Sequence, residues 1–408
     1  MTECQPMEHD VVIVGGGPAG MMAGLLFARA GIDTLVLEKH ADFFRDFRGD
    51  TVHPSTMEIL NELGMLNRFL KRPHSRIDQA ELNFAGQALT IGDLRFLKTP
   101  APFIAMMPQW DFLDFLRDEA EIFPAFHLSM TAPVEALVED GGRVIGVSLA
   151  NGQTVNARKL VIMADGRDSL VRRAALLPLT ILGAPMDIFW FAVPKVPDNE
   201  GRLRGSFDTG RILVQIDRGD YWQCAFAISK GSAAIWRSKG VAAIRAEVEQ
   251  TAPELGPLDT VLTDIDQFKL LSVALDRLDC WHRPGLLAIG DAAHAMSPIG
   301  GIGINLAIQD AVAAANILAE PLRTSAHVDR LLGKVEKRRL FPTRIIQAGQ
   351  KLAQDNVIST LLGSQKRFTR PPLALRLLNR FALLRRIPGR IIGLGIRREH
   401  VRSPAITQ

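Results

Sequence analysis

Cysteine is scarce in this chain of 408 residues, where Cys4, Cys224 and Cys280 are the whole supply. Three thiols, odd in number and far apart, provide neither a disulfide framework nor metal-ligand spacing, so a reducing, cytoplasmic setting and no bound metal are expected. The opening MTECQPMEHD has no basic start and no apolar run, which argues against a secretory signal. The uncharged stretch from Ala292 to Gln309 is not read as a bilayer span, because His294, Pro298, Gly300, Gly301, Gly303 and Asn305 interrupt it. Acid is nearly missing from one region. Between Lys366 and Arg402, eleven Lys or Arg face a single acid, Glu399, so this segment carries +10 of a total of +4 and the rest of the chain −6. Those charges lack interleaved base-stacking aromatics, so no nucleic-acid partner is expected. With 47% apolar and 23% charged residues, the composition is that of a globular protein large enough for two domains.

What is present begins with Asp10 to Glu38. Apolar Val11 to Val14 ends in Gly15, a helical pattern of small and apolar residues runs from Pro18 to Ala30, and a second apolar run, Thr34 to Leu37, closes on Glu38. Strand, turn, helix and strand in about thirty residues make one βαβ unit. Gly15, Gly17 and Gly20 supply the spacing G-x-G-x-x-G within its turn. The first glycine permits the tight turn, the second lets backbone approach a pyrophosphate, and the third lets helix pack on strand. Phosphates then sit at the helix N-terminus, where unpaired N–H groups and the helix dipole favour negative charge. Glu38, eighteen positions beyond Gly20, can accept hydrogen bonds from a ribose with a free 2′-hydroxyl, as in NAD or FAD.

Farther along, Ser55 and Glu58 have capping-box spacing at the start of a helix. Residues 80–92 suggest a β-hairpin with Gly86 in its turn, and Gln109 leads into a helix that turns Phe112, Phe115 and Leu116 to one side. From Phe126 to Met163 the period is two, with hairpin turns at Asp140-Gly141-Gly142 and Asn151-Gly152. Residues 180–275 alternate like an antiparallel sheet, and the apolar strand after Gly285 returns to the first unit. The fold expected is α/β. A Rossmann-like cofactor domain takes residues 1–73, 101–179 and 276–330, an antiparallel-sheet substrate domain takes 74–100 and 180–275, and a helical, basic C-terminal segment takes 331–408.

Two more turns follow buried strands. Asp165-Gly166 opens a short helix and, on its own, is an Asp-Gly turn capped by Asp168 or Ser169. Gly290-Asp291-Ala292-Ala293-His294 precedes Pro298, Gly300, Gly301, Gly303 and a long alanine-rich helix, so backbone amides converge there on a ligand. In this order over residues 10–311, G-x-G-x-x-G with Glu38, Asp165-Gly166 and GDAAHAMSPIGGIGINLAIQDA resemble the three fingerprints of the class A flavoprotein monooxygenases, the para-hydroxybenzoate hydroxylase-like family.

The resemblance implies bound FAD. Gly15, Gly17, Ala19, Gly20, Glu38 and Lys39 would hold its ADP half, and Arg48 and Gln109 would contact the flavin side. Asp165 and Gly166 would lie near the pyrophosphate and a passing nicotinamide cofactor, with Asp291 at the ribityl or pyrophosphate region. Pro298, Gly301, Gly303, Ile304 and Asn305 would line the isoalloxazine, where the helix N-terminus favours negative charge. NADH or NADPH would reduce the flavin, which would react with O2, and a flavin hydroperoxide would hydroxylate an aromatic or other lipophilic small molecule. No second G-x-G-x-x-G follows a strand, in keeping with a family whose nicotinamide cofactor visits without its own Rossmann domain.

His53 and Pro298 are the candidates for catalysis, His53 being equally open to cofactor packing, while His294 reads as a structural residue of its turn. Tyr221 is the sole tyrosine. The chain therefore lacks the paired tyrosines of the para-hydroxybenzoate hydroxylase site, and a different substrate is expected. Trp190, Trp222 and Phe226 are candidate substrate walls, although their strand spacing favours core over that role. A halogenase is disfavoured because W-x-W-x-I-P is missing. The alternatives are a non-oxygenating flavin oxidoreductase of the same fold and a flavin-holding binding protein. In the tail, Leu373, Leu377, Phe381 and Leu384 share one helical stripe beside Arg376 and Arg380. It is either a packed helix with solvated arginines or a peripheral contact with anionic lipid.

Overall fold

A computed structural model describes residues 7–44, 51–84, 86–195, 204–208, 210–324, 327–363 and 371–406. In chain order, its first half contains β1 (Met7–Val14), α1 (Pro18–Arg29), β2 (Thr34–Leu37), α2 (Pro54–Glu62), β3 (Gln79–Phe84), β4 (Gln87–Asp93), α3 (Gln109–Ala120), β5 (Phe126–Ser129), β6 (Val134–Asp140), β7 (Arg143–Leu149) and β8 (Thr154–Met163). Its second half contains β9 (Met186–Pro194), β10 (Arg204–Asp208), β11 (Arg211–Asp217), β12 (Tyr221–Ser229), α4 (Val241–Thr251), β13 (Lys269–Leu271), β14 (Leu286–Ala288), α5 (Gly303–Thr324), α6 (Asp329–Ala353), α7 (Leu373–Arg380) and α8 (Ala382–Leu394).

The apolar runs become neighbouring strands. β14, β8, β1, β2 and β5 lie side by side, all parallel, and β7 and β6 extend the sheet antiparallel. Val11, Val12 and Ile13 are fully buried, because a parallel strand covered on both faces needs an unbroken apolar run. α1 packs with α3 and α5, and Gly24 lets it approach the sheet, since a Cβ there would meet Val36 Cγ2 at 2.7 Å. Residues 299–324, which include α5, are apolar and long enough to cross a membrane, yet α5 is a core helix, with Ala311, Val312, Ala314 and Ala315 buried against its neighbours.

The second sheet has the order β13, β9, β12, β11, β10, β3, β4 and is antiparallel except where β10 meets β3. Alternation sorts its side chains. Ile188, Ile212, Ala225 and Ala227 share one face, whereas Phe189, Phe191, Leu213, Trp222 and Phe226 share the other, packed under Ile244 and Val248 of α4. The β3–β4 hairpin turns at Gly86, at φ +80°. Ser75–Ile77 pairs with Ile104–Met106, which also pairs with Thr51–Val52. Residues 75–77 are thus hydrogen-bonded to the cofactor side, although the boundary expected at residue 74 assigns them to the substrate domain.

Two local expectations are corrected. Ser55 and Glu58 form no capping box: α2 starts at Pro54 with His53 at its N-cap, which puts Ser55 inside the helix. Ser55 Oγ instead accepts from Gln309 Nε2 at 3.4 Å, and Glu58 pairs with Arg398 at 2.9 Å. The tail is two helices, because Phe381 adopts φ −115° and ψ 105° between α7 and α8, which takes Leu384 out of the stripe of Leu373 and Leu377.

Candidate active site

Glu38, Asp165 and Asp291 lie just beyond the carboxyl ends of β2, β8 and β14, and Gly15 directly follows β1, which lies between β2 and β8. Four adjacent parallel strands therefore deliver motif residues to one crevice, where open α/β sheets bind ligands. Gly15 has φ +104°, and a Cβ there would come within 2.4 Å of Ala164 O. A Cβ on Gly20 would fall 1.9 Å from Gly15 O, whereas one on Gly17 would meet nothing within 4 Å. Packing thus requires the first and third glycines, while the second leaves open space at the N-cap of α1. Gly290 seats its own turn closely, since a Cβ there would lie 2.9 Å from Ala19 Cβ and 3.3 Å from Ala307 Cβ.

The polar groups around this crevice are positioned by backbone. Glu38 Oε2 accepts from Gly16 N at 2.9 Å and Oε1 from His40 N at 3.1 Å, while Lys39 beside it is exposed. Asp165 Oδ2 accepts from Leu170 N at 2.9 Å, and Gly166 turns the chain at φ +84°. Burial raises the Asp165 carboxyl above the ordinary range, with Ser169 and the Leu170 amide opposing it. Arg167 joins the two later motifs. Its Nε donates to Asp291 Oδ2 at 3.2 Å and its Nη2 to Met296 O at 3.3 Å. Arg167 Nη1 and Asp165 Oδ1 are buried with no protein hydrogen bond. Buried donors and acceptors need polar partners, so this set fits a dinucleotide rich in phosphate and hydroxyl oxygens. Arg167 escaped the sequence reading, although its place directly after a strand-ending Asp-Gly was an available signal.

Residues 298–305 form the second wall. Pro298 leads into the turn Ile299–Gly301, with Gly300 at φ +78° and Gly301 at φ +61°. A Cβ on Gly301 would meet Thr51 Oγ1 at 2.4 Å, and Thr51 Oγ1 donates to Gly301 O at 2.8 Å. Gly303 and Ile304 begin α5 and are half-buried. Asn305 is a clamp: its Oδ1 accepts from His53 N and Thr56 Oγ1, both at 2.8 Å, and its Nδ2 donates to Thr51 O at 3.2 Å. Gln109 is the first residue of α3, three positions after the strand that pairs with Thr51–Val52. Arg48 lies outside the described residues.

His53 is fully buried, and its Nδ1 donates to Ile392 O at 2.8 Å. Burial drives its pKa down to about 4, the Ile392 carbonyl opposing, so the ring is neutral at neutral pH. It links α2, α5 and α8 without charge. Because its folded pKa lies below the ordinary 6.5, the unfolded chain takes up protons first as pH falls. Stability should decline from pH 6.5 towards 4, by about 3 kcal/mol at most. In His53→Gln the slope of unfolding free energy against pH over that window should flatten; an unchanged slope would contradict the assignment.

His294 is also fully buried, with Nε2 2.6 Å from Asp310 Oδ2. Asp310 further accepts from Gly290 N at 3.1 Å and Arg339 Nε at 2.8 Å, and Arg339 Nη1 reaches Glu399 Oε1 at 3.2 Å. Burial works to raise the Asp310 carboxyl, but His294 and Arg339 overcome it and hold the group below the usual range. The network fastens the Gly290 turn to α5, α6 and the residues after α8, so the position of His294 is structural.

Of the three substrate-wall candidates, Trp190 shares a sheet face with Ile188 and Val214, and that face packs with Ile299 of the second wall. Trp222 and Phe226 are corrected to core. They oppose Val193 and Phe189 on β9 and point to the α4 side, away from the crevice, because each is an even number of residues from the next inward position on that face.

Residues 8–349 match the family described as FAD binding domain. The 6-methylpretetramide 4-monooxygenase of Streptomyces rimosus is 33% identical over 375 residues, which is 90% of this chain and 88% of that protein. The longer rifampicin monooxygenase of Streptomyces venezuelae is 27% identical over 74% of this chain, which spans 62% of that protein. The structure of PqsL from Pseudomonas aeruginosa, a probable FAD-dependent monooxygenase, superposes with a TM-score of 0.72 at 21% identity, covering 87% of this chain and 97% of that one, and shares the fold. Monooxygenase names among the relatives do not favour the alternatives of a non-oxygenating oxidoreductase or a flavin-holding binding protein. On the extent of the family match and the 33% identity, the chain belongs to the class A FAD-dependent aromatic monooxygenases.

Proposed function

We propose that the crevice holds FAD with its adenosine ribose at Glu38 and Lys39 and its pyrophosphate over Gly15, Gly17, Ala19 and Gly20. Asp165, Gly166, Arg167 and Asp291 would take the pyrophosphate and ribityl region. Pro298, Gly301, Gly303, Ile304, Asn305, Gln109 and Arg48 would surround the isoalloxazine. When bound, FAD supplies the redox chemistry with NAD(P)H and O2. The chain's own share is orientation, exclusion of water, and an α5 N-terminus whose unpaired N–H groups favour negative charge beside them. His53, neutral and buried, positions α2 and α8, and Pro298 shapes the turn before α5. In this reading residues 1–73, 101–179 and 276–330 form the cofactor part, 74–100 and 180–275 the substrate part, and 331–408 the helical cover.

The substrate we propose is a flat, apolar aromatic of more than one ring, hydroxylated between the Ile299–Gly301 turn and the Trp190 face of the second sheet. One observation carries this: Trp190, Phe207, Val214, Leu82 and Ile91 make that face apolar across its width beside Ile299. A flat hydrocarbon surface can be buried there at about 25 cal/mol per Å². The 6-methylpretetramide of the Streptomyces rimosus relative is the first compound to test. We further propose a cytoplasmic enzyme whose basic C-terminal segment touches the membrane peripherally.

The test is NADH and NADPH oxidation by yellow, purified protein across a panel from small phenols to fused-ring aromatics. Oxidation should accelerate with a fused-ring compound. Trp190→Ala should raise its KM on the order of tenfold with a smaller change in kcat, because contact is lost in ground and transition states alike. Preference for a small phenol, with Trp190→Ala silent, would sink the substrate assignment.

A further inference from the structure

α7 and α8 turn large apolar residues outward. Leu373, Leu377 and Phe381 are 66%, 40% and 51% exposed, and Leu383, Ile387 and Ile391 are 70%, 58% and 38% exposed. Both sets recur every four residues, so each makes one stripe along its helix or at its end. Arg376, Arg380, Arg386 and Arg390 directly precede four of these residues and are themselves exposed. The inner side is seated closely. A Cβ on Gly389 would lie 1.9 Å from Asp93 O, one on Gly393 would lie 2.7 Å from both Leu94 and Leu97 side chains, and Asn379 Oδ1 accepts from Thr90 N at 3.0 Å. The stripes therefore face outward because the opposite faces are already used.

Among the described residues, Arg376, Arg380, Arg386 and Arg390 form no ion pair with an acid. Glu399, the single acid from Lys366 to Arg402, is buried and paired with Arg338 and Arg339. Rows of large exposed apolar side chains of this kind mark an interaction site. Their interleaving with arginine selects the kind of partner: aliphatic and aromatic groups enter an acyl boundary while guanidinium groups stay at phosphate level. On the inner side, Leu375 of α7 joins the apolar cluster of Trp190 and Ile299.

We propose that α7 and α8 dock on an anionic lipid surface and so set the outer wall of the substrate chamber against the bilayer, from which a lipophilic substrate loads; the loading step rests on the chamber assigned above. Full-length, flavin-loaded protein would be sedimented with vesicles of phosphatidylcholine alone or mixed with phosphatidylglycerol. Binding is expected only to the mixed vesicles, and salt should weaken it. A triple variant Leu377→Ser, Phe381→Ser, Ile387→Ser and another of Arg380→Glu, Arg386→Glu, Arg390→Glu should each bind on the order of tenfold or more weakly. Mixed vesicles should also lower the KM for a vesicle-dissolved aromatic with wild type but not with the arginine variant.

Sedimentation reports the docking face and the flavin spectrum reports the cofactor site, so each can fail alone. Yellow wild-type protein left in the supernatant with anionic vesicles overturns docking, as does a serine variant that binds undiminished. A wild-type dimer in light scattering that the serine variant dissolves also overturns it and identifies a second copy as the occupant. Vesicles without effect on KM overturn the loading step.

Discussion

Gly20→Val should yield colourless protein whose affinity for FAD is reduced on the order of a hundredfold or more. The added Cβ would stand 1.9 Å from Gly15 O, and the obstacle is backbone, so no rotamer change relieves it. Either α1 lifts from β1 or the Gly15 turn shifts, and both movements displace the N–H groups at the start of α1. Gly17→Ala is the informative partner, because its Cβ meets no protein atom within 4 Å. That variant should fold and melt like wild type yet bind FAD more weakly, its methyl group intruding on the ligand alone. The checks are the flavin absorption of purified protein and titration of apoprotein with FAD; a Gly20→Val protein that remains yellow would contradict the packing argument.

Arg339→Met should destabilise the fold by about 3–5 kcal/mol. Methionine keeps much of the side-chain length but leaves Asp310 and Glu399, both buried, without the guanidinium that bridges them. Arg338 still neutralises Glu399 and His294 still donates to Asp310, so the loss is partial rather than total. The effect has a pH signature. Asp310 has a depressed folded pKa, so its contribution is complete above the ordinary carboxylate range of about 4 and disappears as pH falls through the folded value. The gap between wild type and variant should therefore narrow in acid. Denaturant unfolding at neutral and acid pH measures both; a difference below about 1 kcal/mol at neutral pH would show that this pair matters little.

These two positions also differ in how readable they were. Gly20 was legible because strand, turn, helix and acid follow one another within thirty residues, and local spacing alone requires the glycine. The same local rules gave the hairpin turn at Gly86 and the strand Thr34–Leu37 with its observed ends. Arg339 was not legible, since Asp310 and Glu399 lie 29 and 60 positions away and only packing of α5, α6 and the residues after α8 brings them together. Asn305 was expected at the isoalloxazine, but its clamp on Thr51 was hidden for the same reason, the two residues being 254 positions apart. Trp222 and Phe226 failed differently. Alternation divides a strand into two faces but does not say which face meets the cofactor side, and here α4 takes theirs. At α2 the proline after His53 puts the N-cap at His53 instead of Ser55, enough to remove Ser55 from a capping position.

The assignment of an oxygen-inserting enzyme is tested most directly by the mass of the product made under isotopically labelled dioxygen from the aromatic that best accelerates NAD(P)H oxidation. One labelled oxygen atom per product molecule is the expected result. Product of unchanged mass, or oxygen drawn from water instead, would contradict it.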